Sequence, residues 1–182
     1  MTLTRVAAGL AVAAFVSLST APASAQEGKS PALAKQLAAA LDAAKLDSVA
    51  ARDPSGADMF VAALYFPGAQ LLVVSAKYSA PMLLDARLGK KEYRDTYIDL
   101  SSASIPESKV FVQDAGADGL KAKREENTAF DIYEAGGKST MFDGDWKRQK
   151  LSEQDYIKAF TSADDRYSSM LSALLAQLKK TS

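Results

Sequence analysis

Residues 59–76 read MFVAALYFPGAQLLVVSA, and this stretch decides the fold class. Two apolar runs, Met59 to Phe66 and Ala69 to Ala76, flank Pro67-Gly68, a pair suited to the centre of a type II turn. Two-residue hairpins prefer the primed turns, so a slightly longer loop is expected here. Neither run alternates between apolar and polar residues. Both strands are therefore expected to be sheltered on both faces.

On the amino-terminal side of this hairpin, Ser30-Pro31 offers a helix cap followed by proline in the first turn. From Ala32 to Arg52 the chain is rich in alanine, with Leu33, Leu37, Leu41 and Ala44 on one stripe. That spacing predicts one amphipathic helix of about five turns, stopped by Asp53-Pro54-Ser55-Gly56. On the carboxy-terminal side, Ser79 to Leu88 predicts a short helix closed by Gly89. Tyr93 to Leu100 alternates, with Thr96, Ile98 and Leu100 on one face and Arg94 at its edge. Tyr93, Asp95, Tyr97 and Asp99 share the other face, as in a half-exposed strand. Lys109 to Gln113 is another short strand. Ala129 to Ala135 and Lys138 to Phe142 flank Gly136-Gly137, a turn signal for a second hairpin.

The last element is the clearest. Ser152-Glu153-Gln154-Asp155 is a variant capping box with Asp in place of Glu or Gln. A helix of about seven turns follows, with Tyr156, Phe160, Ala163, Tyr167, Met170, Leu171, Leu174 and Leu178 on one face. The expected class is α+β: an antiparallel sheet of about five or six strands with N-terminal and C-terminal helices packed on it. Shelter for the apolar hairpin on both faces suggests three layers or a small split barrel.

The first 25 residues carry a different signal. Arg5 precedes an unbroken small and apolar run from Val6 to Val16, and Ala23-Ser24-Ala25 ends a polar segment broken by Pro22. These are the parts of a secretory signal peptide, cleaved after Ala25. The run is well short of the ~20 residues that span a bilayer, so no membrane anchor is expected after cleavage. Residues 26–182 then form one globular domain in the periplasm or the medium, large enough to bury a core without staples.

Composition narrows the chemistry. The chain of 182 residues has no cysteine and no histidine, and its 22 basic residues balance 22 acidic ones. Without His or Cys there is no Ser-His-Asp triad and no Cys-His nucleophile. Zinc and copper sites lose their usual ligands. Balanced charge argues against nucleic acid as a partner. A non-catalytic domain that binds a partner protein or a small ligand is the leading expectation. The alternatives are a hydrolase or other enzyme working through Asp, Tyr and Lys, and a flavin-binding split barrel suggested by the apolar hairpin.

Three places merit attention as sites. In residues 114–125, DAGADGLKAKRE, the positions of Asp114, Asp118, Gly119 and Glu125 match an EF-hand calcium loop. Calcium is thus the one metal the sequence suggests, with Asp114, Asp118 and Glu125 as ligands. Gly116 at the third position, Lys121 at the eighth and a strand before the loop depart from that pattern. The face bearing Tyr93 and Tyr97, and Trp146 in the turn Phe142-Asp143-Gly144-Asp145-Trp146, are candidate contact surfaces. The final helix has an apolar stripe suited to core packing, and the same stripe would allow a homodimer.

Overall fold

A computed structural model describes residues 28–52, 58–66, 71–78, 93–99, 109–124 and 129–181. The expected signal peptide, the Pro67-Gly68 turn and the expected short helix from Ser79 to Leu88 lie outside the described residues.

The chain begins with helix α1, Ser30–Ala44, then runs through seven strands to a second helix. The strands are β1, Ser48–Arg52; β2, Asp58–Phe66; β3, Leu71–Tyr78; β4, Tyr93–Asp99; β5, Val110–Asp114; β6, Asp131–Ala135; and β7, Lys138–Phe142. Helix α2 spans Glu153–Thr181. Every strand pairs antiparallel with the next, giving an open seven-stranded sheet in the order β1 to β7. This is the α+β arrangement that the apolar hairpin and the two amphipathic helices imply.

Local chemistry accounts for most boundaries. Phe66 pairs with Leu71 across four intervening residues, a longer connection than a two-residue turn. Ala135 pairs with Lys138 across Gly136 and Gly137, both at positive φ (56° and 74°). Two such residues in succession make a primed turn, which glycine enters without steric cost. At the start of α2, the Asp155 N–H donates to Ser152 Oγ at 3.1 Å, and the Ser152 hydroxyl donates to Asp155 Oδ2 at 2.7 Å. Ser152 thus caps the helix through Asp155, and two acids in the first turn complement its dipole.

One boundary departs from the sequence pattern. Alanine richness extends the predicted first helix to Arg52, whereas α1 ends at Ala44 and residues 48–52 form β1. Lys45 takes a left-handed conformation (φ 52°), and the N–H of Leu46 reaches back to the Leu41 carbonyl. Helix propensity is a weak preference that tertiary contact overrides. Here Asp47 turns its carboxylate to Arg94 on β4, and Ser48 pairs with Val61 of β2. The strand count therefore exceeds the expected five or six by the segment read as helix.

Cross-strand partners divide the sheet into two faces. Ala62, Ser75, Thr96 and Asp114 form one inner row, and Val73, Ile98 and Val112 form the next. Leu37 and Leu41 of α1 and Phe160, Tyr167, Leu171 and Leu174 of α2 close over these rows in one core. Phe142 stacks edge-on against Phe160 and Tyr156, with centroids 5.4 and 5.8 Å away. Both helices thus lie on the same face. Among the described residues no helix packs on the other side; the short helix expected from Ser79 to Leu88 lies outside them. Among the described residues no β1–β7 pairing closes the sheet into a barrel. The outer face is half-sheltered: Ala76 and Asp95 are buried, Val61, Val74 and Tyr97 are half-buried, and Ala63 is exposed.

Candidate functional site

The densest polar chemistry lies where β5 leaves the sheet. Asp95, Asp114 and Asp131 sit on the neighbouring strands β4, β5 and β6, at 8, 0 and 4% exposure. Carboxylates this deeply buried must find hydrogen-bond donors. They find them in the loop at residues 115–121. Ala115 and Lys121 donate their N–H groups to the two oxygens of Asp131, at 2.9 and 2.7 Å. Gly116 donates to Asp95 at 2.9 Å, and Asp118 and Gly119 donate to Asp114 at 3.1–3.2 Å. The Ala117 N–H reaches the Asp114 carbonyl, and the Leu120 N–H reaches Ser30 Oγ of α1 at 2.8 Å. Every amide from 115 to 121 is satisfied, so the three aspartates act as a mould for the loop.

Helix α2 joins the mould through Tyr167, whose hydroxyl donates to Asp114 Oδ2 at 2.7 Å. Burial pushes the Asp114 carboxyl up to about 7; the Asp118 charge adds to the rise, while the Tyr167 hydroxyl and the loop N–H groups oppose it. Burial and then the Asp114 charge push Asp131 up to about 8. The Tyr167 phenol is raised well above its ordinary value by burial and by Asp114. Beside this cluster is a cavity of about 20 Å³, walled in part by Tyr93, Asp118, Lys121, Arg124 and Asp131. It has room for about one water molecule and none for an organic substrate.

The expected calcium ligands fall as follows. Asp114 is fully buried and engaged by two N–H groups and the Tyr167 hydroxyl. Asp118 Oδ2 pairs with Lys121 Nζ at 2.7 Å, while its Oδ1 is buried with no hydrogen-bond partner. Glu125 lies outside the described residues. Among the described residues no group of three or more His, Cys, Asp or Glu side chains is arranged to hold a metal ion. The glycines of the motif serve the backbone: Gly119 has φ +89°, and a Cβ there would stand 2.4 Å from the Pro31 nitrogen.

The second candidate lies on the outer face. Tyr93 and Tyr97 share it on β4, and Tyr78 of β3 joins them, with its ring centroid 5.9 Å from that of Tyr93. Burial, then the neighbouring Asp95 charge, raises the Tyr97 phenol, whose hydroxyl donates to Asp95 Oδ2 at 3.1 Å. Register places Val74, Tyr97, Gln113, Ile132 and Met141 in one row across five strands. This row is half-buried. Trp146 does not belong to it: its ring packs against the core, with Lys147 Nζ 5.1 Å from its centroid.

Sequence reading missed the role of Asp131. Its signal is an acid at the first position of a strand, opposite Phe142 of the core. Arg94, placed at the margin of a face, is fully inside. Its guanidinium reaches Ser75 Oγ at 2.8 Å and the carboxylates of Asp42 and Asp47 at the far end of α1. No helix among the described residues is long and apolar enough to cross a membrane. Comparisons with protein-family models, with curated proteins and with solved structures find no match.

Proposed function

We propose that this chain is an exported, non-catalytic domain that binds a partner protein or a small ligand on the outer face of its sheet. One observation carries the reading: both helices roof the inner face, while the outer face presents half-buried Tyr78, Tyr93 and Tyr97 beside Phe111, Ile132 and Met141. Tyrosine brings a large contact area and a polar tip with few torsions to freeze, which suits a binding surface. Asp95, the carboxylate beside Tyr97, is held by the Gly116 N–H and the Tyr97 hydroxyl.

Export rests on the leader read in residues 1–25. A domain of this size without cysteine suits the periplasm or the medium, where its core alone must hold it.

The test is a nuclear magnetic resonance titration of residues 26–182 with panels of peptides and small metabolites. Binders are expected to shift the resonances of Tyr93, Tyr97 and Ile132. Tyr97→Ala is expected to weaken them by about tenfold, as loss of a buried interface tyrosine does. Binders that shift only residues on the helices would overturn the assignment of the face. Conversion of an added compound would restore the enzyme reading.

A further inference from the structure

Strand β7 ends the sheet, and among the described residues no strand pairs with its outer side. An edge of this kind is a template for another strand. Ser139, Thr140, Met141 and Phe142 carry no charge, and the strand has no proline, so its own side chains offer little deterrent. What occupies the edge is a side chain. Gln149 Oε1 accepts the Met141 N–H at 3.0 Å, and Gln149 Nε2 donates to the Met141 carbonyl at 2.5 Å. In an antiparallel ladder, a residue exchanges both of these bonds with one residue of the neighbouring strand. The carboxamide of Gln149 therefore stands in for a peptide group of a missing strand.

The turn that delivers Gln149 is firmly built. Arg148 pairs with Asp143, its N–H donates to Asp145 at 3.0 Å, and Asp145 donates to Asp143 at 2.9 Å. Lys150 closes the turn at φ 58°, a left-handed conformation that is unfavourable for a side-chain-bearing residue. The Tyr156 hydroxyl adds a longer contact to the same Met141 carbonyl, at 3.4 Å.

We infer that Gln149 guards the β7 edge, and that the partner it excludes is β7 of a second copy, paired antiparallel about a two-fold axis. An identical edge is present in every molecule, and isologous pairing closes at two copies. The inference is independent of the outer-face reading, because it concerns backbone groups at the side of the sheet.

Sedimentation and amide exchange of the full domain test it. The unaltered chain is expected to stay monomeric through β7, with the Met141 amide protected at all concentrations. Gln149→Ala is expected to dimerise as concentration rises, with Met141 protection lost in dilute samples and regained in concentrated ones. Gln149→Met keeps the length of the side chain without its polar atoms and is to behave alike, which covers a folding failure of the alanine variant. Ser139 lies two residues from Met141, so its N–H points the same way. Adding Ser139→Pro removes that donor and is expected to abolish the dimer. A variant that stays monomeric with an exposed Met141 amide at every concentration overturns the inference. So does a dimer that survives Ser139→Pro.

Discussion

Replacing Tyr167 with Phe deletes one hydroxyl from a fully buried position and leaves the ring in place. The volume hardly changes, so cavity costs are small. The loss falls on the 2.7 Å bond to Asp114 Oδ2. Its size depends on the protonation of Asp114, whose carboxyl burial raises to about 7 from 3.8. At pH 5 the folded chain holds that proton, and a bond between neutral groups is worth about 1 kcal/mol. At pH 9 the carboxylate is charged and loses a donor inside the core, which costs about 2–3 kcal/mol. Urea unfolding of both chains at the two pH values reads the difference directly. Equal losses at pH 5 and pH 9 would refute the reasoning, and so would no measurable loss at either. The unaltered chain has a related dependence. Asp114 and Asp131 keep protons in the folded state that the unfolded chain releases above pH 3.8. The contribution of these two carboxyls is therefore complete below about pH 3.8, falls between there and about pH 7 for Asp114 and about pH 8 for Asp131, by about 1.4 kcal/mol per pH unit for each extra proton held, and levels off above.

Three further substitutions probe the same architecture. Gly119→Ala is expected to cost well over 2 kcal/mol in chemical unfolding, because positive φ and contact with the Pro31 backbone act together. Gly137→Ala, also at positive φ but with open space around it, is expected to cost only about 1 kcal/mol. Arg94→Ala leaves the partly buried Asp47 without its cation and is expected to lower stability by about 3 kcal/mol, with early exchange of the α1 amides.

Elements governed by local chemistry were legible in the sequence. The Gly136-Gly137 turn, the Ser152 cap and the seven-turn stripe of α2 each depend on residues within a few positions of one another. The end of α1 was not legible, because Lys45 carries no glycine or proline signal. The chain turns there through an ion pair between Asp47 and Arg94, 47 residues apart. The loop after β5 shows the same divide. Its Asp and Gly spacing was visible, and it invited a metal reading. Its actual donors and acceptors depend on register, which sets Asp95 and Asp131 beside Asp114, and on a tyrosine 53 residues away. The alternation of β4 correctly separated Tyr93 and Tyr97 from Thr96 and Ile98. It could not say that both helices would choose the side of Thr96.

The order of elements along the chain bears on biogenesis. Each strand bonds to its sequence neighbour, so the sheet can assemble progressively as the polypeptide emerges. Helix α2, which follows every strand, supplies most of the aromatic and leucine side chains above the inner face. A nascent polypeptide that has reached only β7 must therefore carry a bare greasy surface. Such intermediates aggregate, and a holding chaperone is their usual remedy.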